Sequence, residues 1–402
     1  MIRRLTILGA TGSIGDSTMS LIRDKQSQGA NYQIVSLVGG RNVEKLIALA
    51  KEFRPQFCVI ADEDHYDTLQ SALSPLGLPC GAGTNAVIEA ASLDTDWTMA
   101  AIVGIAGLAP VWAAAAHTKV LSLANKESLV CGGKAILRRL KDHNVKLLPV
   151  DSEHNALFQA LDSQQKKSVS RLILTASGGP FLGRSHQDLA HVTTQQALLH
   201  PNWTMGAKVT IDSATLANKG LEWIEAAHMF NDTLQVSNAK IEVVIHPQSI
   251  IHSMVEYKDG SVLAQLGSAD MRIPISYCLN HPERMDWQAP RLDFIKLNAL
   301  TFKSVDHEAF PMLSLAIEAY EHSAMMPIVY NAANEMAVEA FLAGRLGFNE
   351  IATSVKMAMK MAQLPTNSKY KGDEIGFSEI FELDQWTRDL IKNQHDLVLE
   401  TR

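Results

Sequence analysis

Residues 3–15 read RRLTILGATGSIG. The run up to Leu8 is short and apolar and stops at a glycine, as a buried strand does. Gly9, Gly12 and Gly15 then follow as G-x-x-G-x-x-G. The next segment, SIGDSTMSLIRDK, has apolar residues at helical spacing. Strand, glycine turn and helix in that order form a dinucleotide-binding unit. Glycines let the backbone bend sharply and approach a pyrophosphate, and the helix start offers free N–H groups and partial positive charge. Thr11 and Ser13 add hydroxyl donors, with Gly12 and Ile14 between and beside them. The turn alone is a weak signal; its strand–turn–helix setting makes it a strong one.

Outward from this unit the alternation continues. YQIVSLVGG, QFCVIAD, WTMAAIVGI, KVLSLAN and VKLLPVD read as strands, and NVEKLIALAKEF as a helix. Residues 1–150 are therefore expected to form an α/β, Rossmann-like, doubly wound parallel sheet with right-handed crossovers. The second strand ends in Gly39-Gly40-Arg41-Asn42, without the acid that commonly holds the ribose hydroxyls of NAD. Arg41 can make charge-assisted hydrogen bonds to a 2′-phosphate, so NADP(H) is preferred. The competing reading is a solvated loop arginine. Asn125, Lys126 and Glu127 follow another strand end, where ligands of open sheets sit. They are candidates for the nicotinamide ribose and the substrate.

Residues 151–285 are mixed and read as an α+β catalytic domain. SMVEYKDGSVLAQL alternates about Asp259-Gly260, a hairpin signature. Residues 286–311 are irregular, as a connecting arm would be. Residues 312–402 carry four helical patterns and are expected to form a helical bundle. Met357, Met359 and Met361 are read as core packing.

The densest polar stretch is Leu199 to Phe230, LHPNWTMGAKVTIDSATLANKGLEWIEAAHMF. Upstream, VDSEHNA places Asp151 and Glu153 two residues apart. If VDSE stays extended, both carboxylates face one side. Like charges side by side are costly unless a cation neutralises them. With Glu222 they make an oxygen-rich site for Mg²⁺ or Mn²⁺. The fold must bring the acids together, because Glu153 and Glu222 are far apart in sequence. Ser177 in TASGG, with Ser213, Asn218 and Lys219, offers a phosphate cradle of neutral donors plus one cation. The competing reading for a single Ser is a helix cap. Trp203, on a loop with Pro201 and Gly206, is either a lid over substrate or a core residue.

Composition sets outer limits. The chain has 402 residues, 47% hydrophobic and 20% charged, with a net charge of −7. That is globular composition, and it gives no reason to expect nucleic acid or an anionic membrane as partner. Cys58, Cys80, Cys131 and Cys278 form no CxxC pair, which points to reduced thiols and a cytoplasmic protein. The apolar start breaks at Gly9, too early for a signal core, so no targeting segment is expected. MAAIVGIAGLAPVWAAAA, residues 99–116, approaches spanning length, but Gly104, Gly107 and Pro110 interrupt it. It reads better as a buried strand (AAIVGI), a turn and an Ala-rich helix.

The motifs GATGSIG, AIVGIAGLAP, LANKESLV, DSEHNA, TASGGPF, HPNWTMGAKVTIDSATLANKGLE, HPQSIIHSMVEY and NAANE together resemble the 1-deoxy-D-xylulose 5-phosphate reductoisomerase family, nearly end to end. The resemblance implies an NADPH- and divalent-metal-dependent rearrangement and reduction of a sugar phosphate in the non-mevalonate isoprenoid pathway. It implies Asp151, Glu153 and Glu222 as metal ligands. Ser152 and Lys126 would contact substrate hydroxyls, and His200 would lie beside the phosphate donors Ser177, Ser213, Asn218 and Lys219. Trp203 and Met205 would belong to a lid, Gly206 would touch the cofactor, and the protein would be a homodimer. The competing class is another NADP-dependent dehydrogenase, of the homoserine or semialdehyde type. It would not need three carboxylates and a phosphate cradle together. A non-catalytic NADP sensor could dispense with all three acids.

Overall fold

In a computed structural model, residues 2–203, 205–233, 236, 240–363 and 375–400 are described. Among the described residues there are eleven strands: β1 (Arg3–Leu8), β2 (Tyr32–Gly39), β3 (Phe57–Ile60), β4 (Cys80–Ala82), β5 (Thr95–Ala100), β6 (Thr118–Leu123), β7 (Lys146–Pro149), β8 (Val169–Ala176), β9 (Lys240–Ile245), β10 (Ile251–Tyr257) and β11 (Val262–Leu266). The chain divides into two units, each discontinuous in sequence. One comprises Met1–Ser128, Ile136–Asn155 and Asp270–Pro290; the other comprises Leu129–Ala135, Ala156–Ala269 and Arg291–Arg402.

The first unit holds a seven-stranded sheet in the order β4-β3-β2-β1-β5-β6-β7. All its neighbours pair parallel. Chain progression runs outward from β1 on one side and from β5 on the other. The strand order therefore reverses between β1 and β5, the crevice where such sheets bind ligands. The strands are buried on both faces, as parallel strands covered by helices must be. Segment 270–290 docks here through specific contacts. The indole of Trp97, wholly buried, donates to the Cys278 carbonyl at 3.2 Å. The Cys278 thiol in turn donates to the Pro149 carbonyl at 3.1 Å. Burial holds that thiol far above its ordinary range.

The segment expected as a strand at AAIVGI is placed differently. β5 ends at Ala100. Ala101–Gly104 leave the sheet, and the helix begins at Leu108. Gly104, at φ +75, leads into the short turn Ile105–Gly107. The segment 63–91 also contributes helices Tyr66–Leu73 and Gly83–Ala91 and the short β4, which the sequence analysis did not separate.

The second unit holds a four-stranded sheet in the order β11-β10-β8-β9. β10 and β11 form the expected antiparallel hairpin, with Gly260 at φ +87. Four helices, Met312–His322, Met326–Leu342, Phe348–Ala362 and Phe377–Glu400, make the bundle. The second is buried almost all round, which is the signature of a central helix. Phe341 and Phe181 pack edge-on against Phe348, with centroids 5.8 and 5.2 Å away. The methionine expectation needs correcting: Met359 is buried, but Met357 and Met361 are each 38% exposed. Residues two apart on a helix do not share a face.

Candidate active site

The glycine turn is built by close contact. A Cβ at Gly9 would lie 2.5 Å from the Ala101 carbonyl oxygen, and one at Gly15 would lie 2.4 Å from the oxygens of Gly9 and Ala10. Gly9 also has φ +92. Gly12 differs, for its Cβ would meet only the Gly9 oxygen, at 3.5 Å. Gly12 precedes helix Ser13–Ser27 and supplies no side-chain cap, so the helix start keeps its N–H groups for a ligand. The Lys45 ammonium, which the sequence analysis did not single out, donates to the Thr11 carbonyl at 3.1 Å and pins this turn.

Asn42 caps helix Val43–Phe53, accepting from the Lys45 amide at 3.0 Å. Arg41 stands just before it, its side chain 88% exposed, with Nε 3.2 Å from Asp62 Oδ2. An acid thus stands beside Arg41 after all, delivered by β3 rather than β2. Asn125 caps helix Lys126–Asp142 by accepting from Ser128 N at 2.8 Å. Its amide donates to the Gly104 carbonyl at 3.0 Å and to buried Glu127 at 3.1 Å. The loops after β5 and β6 are thereby tied together at the sheet's C-terminal end.

Asp151 leaves β7, and a helix starts at Ser152, so VDSE is not extended as expected. Side-chain alternation is therefore not what pairs the acids. One helical turn does so instead, and carboxylate oxygens of Asp151 and Glu153 lie within 4.8 Å of each other. Lys126 Nζ sits 2.5 Å from Asp151, with both side chains mostly buried. Ser152 Oγ donates to Glu153. His154, from the DSEHNA motif, is fully buried and presents a ring nitrogen within 4.8 Å of Asp151.

In the second unit, Ser177 follows β8. Gly178 and Gly179 take φ +85 and +67, and a Cβ on Gly179 would press on the Ser213 carbonyl oxygen at 2.9 Å. This turn brings Ser177 alongside helix Ala207–Thr215. Buried Asp212 on that helix is held by Lys208 at 2.9 Å and by Asn334, from the NAANE motif, at 2.8 Å. Leu216, at φ +62, breaks the helix and starts the next, Ala217–Ala226. On that helix Asn218 Nδ2 donates to Glu222 Oε1, and Lys219 Nζ donates to Oε2. Lys219 and Glu222 are 3% and 1% exposed, so this ion pair is almost dry.

His200 Nδ1 accepts from the amides of Trp203 at 2.9 Å and Asn202 at 3.2 Å. Nε2 must then carry the proton, which it gives to Ser177 Oγ at 3.1 Å. Burial lowers the His200 pKa and favours this neutral form. Trp203 is half-buried with its ring 6.2 Å from that of His252. His252, missed by sequence reasoning, is pushed down to about 4, first by burial. Met205 and Gly206 complete the stretch, without helix or strand, and Thr204 lies outside the described residues.

Among the described residues, no helix is long and apolar enough to cross a membrane. Family models for 1-deoxy-D-xylulose 5-phosphate reductoisomerase match residues 5–133, and two for its C-terminal domains match 147–230 and 266–390. A Caulobacter vibrioides protein named 1-deoxy-D-xylulose 5-phosphate reductoisomerase is 51% identical over 88% of this chain and 87% of its own. One from Rhodospirillum centenum is 47% identical over 93% and 91%. The Zymomonas mobilis reductoisomerase solved with NADPH is 44% identical, with a TM-score of 0.87 over 98% of both chains. A DOX-P reductoisomerase solved with NADPH, fosmidomycin and magnesium is 40% identical, with a TM-score of 0.90 over 98% of this chain and 99% of that one. With identity this high along nearly its whole length, and with the glycine turn, the paired acids and the Asn218–Glu222 run all formed, the chain belongs to the 1-deoxy-D-xylulose 5-phosphate reductoisomerase family.

Proposed function

We propose that this chain rearranges 1-deoxy-D-xylulose 5-phosphate and reduces the product to 2-C-methyl-D-erythritol 4-phosphate, at the expense of NADPH and with a divalent cation, Mg²⁺ or Mn²⁺. The step belongs to the non-mevalonate route to isoprenoids. The observation that carries the reading is the Asn218–Lys219–Glu222 run, with Lys219 and Glu222 buried, in a chain 51% identical to a protein named for this reaction. One helical turn there joins phosphate donors to a metal-binding carboxylate.

Residues 1–150 hold the cofactor. Thr11, Gly12, Ser13 and Ile14 face the pyrophosphate, and Gly39, Gly40, Arg41 and Asn42 face the adenosine 2′-phosphate. Asn125, Glu127 and Gly206 attend the nicotinamide end. Asp151, Glu153 and Glu222 hold the cation; an all-oxygen donor set with Asp151 and Glu153 within 4.8 Å of each other suits a hard ion. Once bound there, the ion would polarise the substrate carbonyl and stabilise developing alkoxide charge.

The other side chains bind, orient and exclude water. Ser177, Ser213, Asn218 and Lys219 grip the phosphate, and neutral His200 fixes the Ser177 hydroxyl by donating to its oxygen, which turns the hydroxyl proton toward the anion. Holding the remote phosphate positions the reacting carbons. Lys126 and Ser152 contact substrate hydroxyls. Lys126 also pairs with Asp151 at 2.5 Å. Trp203 and Met205 close over the site and keep water from the aldehyde stage. The deciding assay follows NADPH oxidation with 1-deoxy-D-xylulose 5-phosphate and Mg²⁺; turnover that persists after full chelation would refute the metal-dependent mechanism.

The assembly is a cytoplasmic homodimer in this reading, with β11 as its contact. β11 is an edge strand with Val262 46% and Leu263 49% exposed. An apolar, unpaired edge is a ready template for a second copy. Leu263→Lys is expected to shift the protein from dimer to monomer in light scattering. A dimer of unchanged affinity would move the interface elsewhere.

A further inference from the structure

The partner of Arg41 has a consequence for cofactor choice. β2 and β3 pair in register up to Gly39 and Ile60. Two further backbone bonds continue past the strands: Ala61 N to the Gly39 carbonyl at 2.9 Å, and Asp62 N to the Gly40 carbonyl at 3.2 Å. Asp62 is thus carried beside the Gly-Gly-Arg-Asn loop by the backbone itself. Its side chain is fixed as well. Oδ1 accepts from Asp64 N at 3.2 Å, capping the short turn Glu63–His65, and Oδ2 meets Arg41 Nε at 3.2 Å. The carboxylate cannot swing away without losing its cap.

We propose that Asp62 is a specificity-determining residue, a built-in counter-ion that competes with the 2′-phosphate of NADPH for Arg41 and limits the preference for NADPH over NADH. The inference rests on the assignment of Arg41 to the 2′-phosphate. Contact through Nε leaves the Nη1–Nη2 edge of the guanidinium for a second anion. A doubly charged phosphate arriving there stands close to a fixed carboxylate, and like charges a few ångströms apart repel even in high dielectric. NADH, with a ribose hydroxyl at that position, meets no such repulsion and can donate to the same carboxylate. The chain therefore holds a cation that favours NADPH next to an acid that tempers it.

Asp62→Asn keeps the volume and the capping oxygen and removes only the charge. Fluorescence titration with NADPH and with NADH, without sugar phosphate, is the test. NADPH should bind about tenfold more tightly at low salt, with NADH unchanged or weaker, and the gain should shrink at high salt. Equal changes for both cofactors, or weaker NADPH binding, would overturn the proposal. Arg41→Gln is titrated in parallel. If it weakens NADPH alone while Asp62→Asn leaves the ratio unchanged, only the role of Asp62 is refuted. If Arg41→Gln changes neither cofactor, the 2′-phosphate assignment fails first and the proposal falls with it.

Discussion

Glu222→Gln is expected to lower turnover by about 10³-fold, in the range lost when a preorganised charge at a reacting centre is removed. It should also destabilise the protein by about 3 kcal/mol, because it removes the carboxylate from a buried ion pair. Both effects follow from one observation. Glu222 is 1% exposed, and its two oxygens accept from Asn218 and from Lys219, itself 3% exposed. A glutamine has one acceptor oxygen, so its amide must face either the ammonium or the Asn218 amide, donor against donor. The same pairs tie the two halves of the proposed chemistry together. In the proposed site Asn218 and Lys219 would be phosphate donors, and Glu222 would be a ligand of the cation. A cation bound at Glu222 would weaken that carboxylate's hold on Lys219 and Asn218 and leave them for the phosphate. Mg²⁺ and the sugar phosphate should therefore bind cooperatively in the native enzyme and independently in Glu222→Gln. Steady-state kinetics over a Mg²⁺ series, run well below the melting temperature of the variant, measures both. Near-normal turnover with unchanged Mg²⁺ affinity would remove Glu222 from the metal site.

Local periodicity made much of this architecture readable. The glycine turn, the parallel sheet around it, the hairpin at Asp259-Gly260 and the four C-terminal helices each have a signal within a single window of sequence. What was not legible depends on packing across the chain. Segment 270–290 belongs with the first sheet because Trp97 and Pro149 meet Cys278, and no local pattern records that. Asp151 and Glu153 were expected to share a face of extended chain, but the helix begins one residue after Asp151. The acids still converge, through one turn of that helix. The end of β2 alone does not reveal Asp62, because a parallel neighbour delivers that side chain to the same place. His252 lies in a strand whose residues are mostly buried, where a histidine reads as core, and only its ring contact with Trp203 marks it out.

The glycine turn supplies the second large effect, because its glycines do different work. At Gly15 an added Cβ would lie 2.4 Å from two backbone oxygens, those of Gly9 and Ala10. Neither can yield without moving the end of β1, so Gly15→Ala should cost about 3 kcal/mol, the upper range for overpacking a tight site. It should also abolish measurable NADPH binding, since the turn and the helix start would separate. Gly12 has extended backbone, φ −84 and ψ 176, which any residue adopts. Its Cβ would find only ordinary contact, at 3.5 Å. Gly12→Ala should therefore leave the melting temperature of the free protein nearly unchanged, yet weaken NADPH about a hundredfold by occupying the line of approach of the pyrophosphate. Thermal unfolding with and without NADPH separates the two cases. A ligand that binds only the folded state stabilises it by RT ln(1 + L/Kd), where L is the free ligand concentration, and so raises the melting temperature. In Gly12→Ala the free protein should melt as the parent does, and the rise on adding NADPH should largely vanish. In Gly15→Ala the free protein itself should melt early. If Gly12→Ala kept the full NADPH-induced rise, the pyrophosphate would have to bind away from this turn. If Gly15→Ala melted like the parent, the close approach between helix start and strand end would not be what holds the turn in shape.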